Sequence, residues 1–144
     1  MAGFYGTYMH TIDPKNRVFI PAKLRAELGD TFYITRKIST TALAVYPQSA
    51  WDALQDKLNS MPDSVVGDIK LFLFSHSVSV TPDSQGRILL PPDLTAYAEI
   101  EKELAIVGVG NTLLIYAAHR WQAEEAAQLA NMDKLCDKMR EIGL

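Results

Sequence analysis

Two short segments of this chain repeat one arrangement of side chains suited to binding an anion. Asp13 stands four residues before Arg17, and Asp83 stands four residues before Arg87. Both segments have the composition of turns, in which an aspartate accepts backbone N–H groups. Arginine presents a planar fork of donors that matches phosphate oxygens and the edge of guanine. We therefore predict that the two aspartates fix the turns and that the two arginines face a ligand.

Further basic residues lie close to the first turn. Lys15 is inside it, and Lys23 and Arg25 follow on a predicted helix. The second turn has Gln85 at the position of Lys15, so the case for a ligand contact is stronger in the first turn. Two alternatives stay open: the aspartate–arginine pairs are salt bridges that only stabilise hairpins, and the helical cations form a solvated face.

The sequence assembles no catalytic or metal-binding constellation. The three histidines, His10, His76 and His119, are far apart and have no second ligand at metal-binding spacing. The single cysteine, Cys136, excludes an intramolecular disulfide and has no histidine near it in sequence. We predict that the protein is not an enzyme and uses no metal, cofactor or small-molecule substrate.

The two turns belong to an internal repeat. A shift of 70 positions superimposes identical residues along much of the chain, including Tyr46 on Tyr116 and Trp51 on Trp121. Because both tryptophans coincide, a tandem duplication explains the pattern better than chance. Asn16 and Gly86 occupy the same turn position, and these two residue types best tolerate a positive φ.

Each copy predicts the same succession of elements: an extended stretch, the turn, a short β run, a helix opened by proline, two strands, and a helix carrying the matched tryptophan. The predicted ranges are 5–12, 18–20, 22–28, 31–35, 42–46 and 50–60 in the first copy, and 74–80, 88–90, a helix from 91, 103–108, 112–116 and a long helix from 121 to 139 in the second. The last helix carries an apolar stripe, which packs on its own domain or joins subunits.

Composition limits the class of protein. The chain has 144 residues, of which 48% are hydrophobic and 22% charged, as in ordinary globular domains. Its net charge of −3 argues weakly against a nucleic-acid partner, but residues 1–60 hold seven basic and five acidic side chains. The apolar runs are too short to span a bilayer and the N-terminal residues do not read as a signal peptide, so we expect a soluble cytoplasmic protein without a membrane partner.

Several of these segments resemble the MraZ-type transcriptional regulators, within the AbrB-like DNA-binding group. The segments are 1–6, 13–25, 83–91 and 107–111, together with the spacing from Tyr46 to Trp51. The resemblance extends to about Trp121. It implies an α+β fold of two tandem AbrB-like βαβ-type repeats, whose interleaved strands form a small pseudo-symmetric barrel-like β fold with peripheral helices. The repeats would span 5–47 and 76–119, with a linker helix region at 48–75 and a C-terminal helical segment at 120–144.

The resemblance also implies a function. Proteins of this kind bind double-stranded promoter DNA as homo-oligomeric rings at repeated elements upstream of the division and cell-wall gene cluster, usually as repressors, in the cytoplasm at the nucleoid. By position, the resemblance carries the DNA-contact role to Lys15, Arg17 and Arg87 and the turn-structuring role to Asp13 and Asp83. From their place on the first helix, Lys23 and Arg25 join the predicted DNA-binding residues. From their tolerance of a positive φ, Asn16 and Gly86 join the predicted turn-structuring residues. The alternative is an oligomeric scaffold whose loops meet another protein.

Overall fold

The computed structural model describes residues 3–144, so the first two residues of the N-terminal motif lie outside it. The first copy contains β1 (Thr7–Thr11), β2 (Arg17–Phe19), α1 (Ala22–Leu28), β3 (Phe32–Arg36), β4 (Leu43–Pro47), α2 (Gln48–Asn59) and α3 (Asp63–Phe74). The second contains β5 (Val78–Val80), β6 (Arg87–Leu89), α4 (Pro92–Tyr97), β7 (Glu103–Gly108), β8 (Leu113–Ala117), α5 (Ala118–Ala130) and α6 (Met132–Glu141).

The strands form one six-stranded antiparallel sheet and one two-stranded ribbon. The order in the sheet is β1-β7-β8-β4-β3-β5, and the ribbon pairs β2 with β6. This order reads the same when the copies are exchanged, because the first strand of each copy pairs with the third strand of the other. The α+β class is confirmed. Among residues 3–144 no closed barrel is found: the sheet is open and ends at β1 and β5.

The core holds the ribbon against the sheet. Val18 and Ile88, at the centres of the two ribbon strands, are 0% and 1% exposed. They pack in one cluster with side chains such as Ile34, Ile106 and Ile115 from the central strands of the sheet. Burying a side chain of this size contributes about 1.5–3 kcal/mol. The ribbon is therefore fixed by its inward residues, and its outward residues are free to serve another purpose.

Helices α2 and α3 cover the outer face of the sheet in the first copy. Trp51 of α2 stacks on Tyr33, with ring centroids 5.0 Å apart, and the edge of Phe74 also contacts it. Thr35 donates a hydrogen bond from Oγ1 to the carbonyl of Leu73, which ties α3 to β3. The Trp51 side chain is consequently buried.

The second copy is covered less completely. Trp121 packs on Tyr116 and is only half buried. At the same shift of 70 positions, α6 corresponds to α3, yet none of its residues is buried. Its apolar stripe lies in solvent, so it does not pack on its own domain.

Several predicted boundaries differ from the structure. Residues 74–77 are not extended, because α3 continues through Phe74 where that ring packs against Trp51. The predicted long last helix is broken at Asn131, whose φ of −105° and ψ of 27° leave the helical range. Helix α2 begins at Gln48, and no side chain caps its N-terminus. In the described part of the chain, no helix combines the length and apolar character needed to cross a membrane.

Candidate nucleic-acid interface

The first turn is organised by the carboxylate of Asp13. Its Oδ1 accepts the backbone N–H groups of Lys15 at 2.9 Å and Arg17 at 2.8 Å. Its Oδ2 accepts Nε–H of Arg17 at 2.7 Å. One carboxylate thus fixes the backbone and orients the guanidinium. Within residues 3–144 neither Nη of Arg17 forms a hydrogen bond, so this end of the fork is available to a ligand.

The second turn has the same geometry. Oδ1 of Asp83 accepts the backbone N–H groups of Gln85 at 2.9 Å and Arg87 at 3.0 Å. Oδ2 accepts Nε–H of Arg87 at 3.0 Å. The arrangement of donors and acceptors is therefore duplicated along with the sequence, although the lysine of the first turn is replaced by glutamine.

These contacts lower the pKa of both aspartates. The largest cause for Asp13 is the backbone N–H of Arg17, and the guanidinium of the same residue adds to it. The largest cause for Asp83 is the backbone N–H of Arg87. Both carboxyl groups are therefore ionised well below neutral pH, which keeps the arginines oriented under ordinary conditions.

Each turn is also held by the other copy. The backbone N–H of Ile20 donates to the carbonyl of Gly86 at 2.9 Å, and that of Leu90 donates to the carbonyl of Asn16 at 2.9 Å. Asn16 and Gly86 have φ values of 62° and 80°, in the left-handed region that their residue types accommodate. This reciprocal pairing fixes the position of one turn relative to the other.

The ribbon places the two arginines on one face. In its antiparallel register Arg17 stands opposite Leu89, and Phe19 stands opposite Arg87. Opposed residues point to the same side of a sheet, and alternate residues point to opposite sides. Since the central pair is buried, these four side chains all face outward. Each arginine is half buried and lies diagonally across the ribbon from the other.

The other predicted contacts lie nearby, in different environments. Lys15 is exposed at the first turn, and Lys23 is exposed on α1. Arg25 is partly buried: its Nε donates to the carbonyl of Ile20 at 2.9 Å, and its guanidinium lies against the second turn. Arg25 therefore contacts both copies of the repeat. A DNA contact for any of the three stays a prediction.

No motif in the sequence marks the apolar members of this face. Phe19 and Leu89 occupy the same position in both copies and point away from the core. Strict alternation with the buried central residues was the available signal, since it places them outward.

No catalytic arrangement appears elsewhere in residues 3–144. No three side chains of histidine, cysteine, aspartate or glutamate are grouped as a metal site would require. His76 pairs with Asp93 through Nδ1 and Oδ2 at 2.6 Å, and His119 approaches Glu99 at 3.4 Å. Both pairs lie at the surface.

The fold and its ribbon define a class of protein: a duplicated α+β chain that displays paired, carboxylate-oriented arginines on one outward face. The family model described as "MraZ protein, putative antitoxin-like" matches residues 4–66 and 73–139. The chain belongs to this MraZ family. The two matched segments correspond to the two copies of the repeat.

Relatives similar over nearly their whole length carry one name. A protein of Pelotomaculum thermopropionicum is 38% identical over 144 residues, covering 98% of both chains, and is named transcriptional regulator MraZ. Proteins of Clostridium acetobutylicum and Clostridium beijerinckii, with the same name, are 37% and 36% identical over 143 residues, covering 98% of this chain and 99% of theirs. The predicted family is confirmed. So is the prediction that the chain is not an enzyme, because the family is one of regulators.

Proposed function

We propose that this protein is a sequence-specific, DNA-binding transcriptional regulator. The observation that carries the proposal is the pair of arginines on one exposed ribbon, each oriented by an aspartate through Nε. The name shared by its relatives, transcriptional regulator, supports the same function. A two-stranded ribbon fits the major groove of B-DNA, which is about 12 Å wide.

The arginines and the lysines are suited to different parts of the DNA. The free Nη groups of Arg17 and Arg87 are suited to the O6 and N7 acceptors of guanine. Exposed Lys15 and Lys23 lie to the side and are suited to phosphate oxygens, which position a protein without reading sequence. Arg25 supports the ribbon and adds positive charge beside it. The acidic net charge of the chain is thereby offset locally at the binding face.

A single ribbon supplies too few cations for tight binding. Observed affinity falls with salt at a slope of about −0.9 per neutralised phosphate, and one subunit neutralises only a few. Several copies on a repeated operator make the later contacts intramolecular, which raises avidity by roughly 10²-fold or more. We therefore propose that copies of the protein associate into a ring.

Two different apolar surfaces support association between copies. The first, called the α6 stripe, consists of exposed Met132, Leu135 and Met139 of α6, with Leu129 near the end of α5 and Ile142 and Leu144 after α6. The second is a groove of about 510 Å³ lined in part by Ile38, Ile69, Phe72 and Tyr97. Arg36 packs on the Phe72 ring in the wall of this groove, with its Cζ 3.9 Å from the ring centroid.

A ring needs two unlike surfaces that meet head to tail. The proposed contact places the α6 stripe of one copy in the groove of the next.

Charged substitutions in the stripe test this contact. Leu135→Glu combined with Met139→Glu should convert the parent oligomer into smaller species, measured by size-exclusion chromatography with light scattering. Glu141→Gln, on the same helix, is the matched control and should leave the mass unchanged. A double variant with the parent mass would remove the stripe from the proposed interface.

The regulatory role follows from occlusion. A ring bound to repeated elements upstream of a gene blocks polymerase, so the proposed action is repression of the division and cell-wall gene cluster by a protein of two AbrB-like halves at the nucleoid. A reporter driven by the upstream region of the protein's own gene tests this. The parent should lower reporter output and Arg17→Ala should not. Repression would be contradicted if the folded, expressed parent protein left the reporter output at the level found without it.

The alternative function is an oligomeric protein scaffold. The exposed α6 stripe and the acidic net charge favour it, because both suit a protein partner better than DNA. The duplicated, carboxylate-oriented arginines oppose it. A folded oligomer that binds its upstream DNA no better than a scrambled duplex would make the scaffold the preferred function.

A further inference from the structure

The outward face of the ribbon carries two apolar side chains beside its two arginines. Phe19 is 38% exposed and Leu89 is 59% exposed. They stand on opposite strands, so each lies directly across from one arginine: Leu89 from Arg17, and Phe19 from Arg87. The face therefore consists of two cross-strand pairs, and each pair joins one guanidinium to one apolar side chain.

Packing in the hydrophobic core does not account for these two residues. The alternating positions Val18 and Ile88 already supply the core contacts of the ribbon. Exposed apolar side chains are common singly, but here they recur at the same position in both copies and flank the proposed DNA-binding arginines. Their duplication at this place indicates a shared ligand contact.

Phe19 is held more firmly than Leu89. Its ring lies 5.6 Å from the His10 ring, tilted by 56°, and Arg25 Cζ lies 5.6 Å from its centroid on another side. The positions equivalent to His10 and Arg25 in the second copy are Val80 and Thr95, which provide no such flanking groups. The first copy thus presents an apolar ring flanked by His10 and Arg25, and the second presents a smaller apolar side chain without such flanking groups.

We propose that Phe19 and Leu89 are specificity-determining residues that contact the 5-methyl groups of thymines in the bound DNA. The inference rests on the proposed function of the ribbon. The thymine methyl is the apolar group that base edges display in the major groove, and phenylalanine is among the side chains that contact it. Because each apolar side chain stands beside an arginine, a thymine methyl and a guanine edge lie close together in each half of the recognised element. Phe19 contributes more than Leu89.

Uracil substitution tests the contact without altering the protein. Duplexes are first selected by the parent from a random-sequence library, and each thymine of the selected element is then replaced by deoxyuridine, which lacks only the methyl. Loss of one buried methyl weakens binding about fourfold. The parent should show this loss at the thymines beside the preferred guanines. Phe19→Ser should bind the thymine duplex more weakly and show no further loss with uracil at one of these positions.

Matched variants separate the two apolar residues from general effects. Leu89→Ser should remove the smaller of the two uracil effects. Leu71→Ala changes a side chain that is 69% exposed on α3, away from the ribbon, and should keep both effects. Arg17→Lys should weaken thymine and uracil duplexes by the same factor.

The outcomes distinguish this inference from the function beneath it. If the parent protein selects no sequence from the library, the proposed function is contradicted. A parent that selects an element but binds its uracil form equally well overturns the methyl contact and leaves the function standing. The methyl contact is likewise overturned if Phe19→Ser retains every uracil effect of the parent.

Discussion

The guanidinium of Arg25 lies against the backbone of Gly86, so that a Cβ atom at Gly86 would stand 2.7 Å from Arg25 Cζ. Arg25 belongs to α1 of the first copy and Gly86 to the turn of the second. Gly86 is buried beneath this contact, whereas its counterpart Asn16 carries a side chain at a φ of 62°. The two turns therefore share a backbone conformation but differ in what surrounds it.

Gly86→Ala should destabilise the protein for two reasons. Alanine at a φ of 80° costs about 1–2 kcal/mol, and its Cβ also displaces Arg25. The free energy of unfolding in urea should fall by at least that amount. Asn16→Gly, the control, should change it by less than about 0.5 kcal/mol. In an Arg25→Ala background the loss from Gly86→Ala should be smaller; equal losses would show that Arg25 is not part of the effect.

Replacing the lysine and replacing the arginine of the first turn should change DNA binding in different ways. Lys15→Ala should weaken binding to all duplexes alike and make the salt slope shallower by about 0.9 for each phosphate that it leaves without a cation. Arg17→Ala should cost about 1–3 kcal/mol per site on the preferred duplex and reduce its preference over a scrambled one. Fluorescence anisotropy at several salt concentrations separates the two. If Arg17→Ala weakened binding to the preferred and the scrambled duplex equally, Arg17 would contact phosphate alone.

Acid should weaken the turns through Asp13. Its pKa is below the ordinary value of 3.8 in the folded protein, so it favours folding fully above that value, and this contribution is lost as the pH falls through the folded pKa. Asp13→Asn removes this pH-dependent contribution, so its unfolding free energy should lie below that of the parent at pH 6, and the gap should narrow as the pH falls below 3.8. Urea titrations across this range measure the difference. A constant gap at all pH values would contradict the role of the carboxylate.

The two tryptophans should differ in importance despite their equivalence in sequence. Trp51 is 3% exposed and packs between aromatic rings, so Trp51→Ala should cost about 3–5 kcal/mol. Trp121 is half buried and packs mainly on Tyr116, and Trp121→Ala should cost about 1–2 kcal/mol. Both variants are compared at one protein concentration by urea unfolding. Equal losses would mean that Trp121 is also covered by another molecule.

Much of the fold was accessible from sequence because the duplication marks equivalent positions. Helix α1 begins at Ala22 and ends at Leu28 as predicted, since proline and glycine bound it. The end of α3 and the break at Asn131 were not predicted. The end of α3 depends on packing against Trp51, which no local pattern encodes. The break falls on asparagine, a residue type of low helix propensity, whose Nδ2 donates to the carbonyl of Ala127.

The face of the ribbon was only partly predictable. The spacing of Asp13 and Arg17 indicated their contact, because four residues around a turn bring the side chains together. Joining the two turns into one surface depends on the pairing of β2 with β6, between residues about 70 positions apart, and no local pattern encodes that register. The outward position of Phe19 became meaningful only once this pairing was known.

The central claim is that the paired arginines bind specific DNA. The most direct measurement is an anisotropy titration of the purified protein with a duplex from the region upstream of its own gene and with a scrambled duplex, each at two salt concentrations. We expect tighter binding to the upstream duplex, with a steep loss at higher salt, and a smaller preference for that duplex in Arg17→Ala and Arg87→Ala. Equal or absent binding to both duplexes by the folded oligomer would contradict the claim.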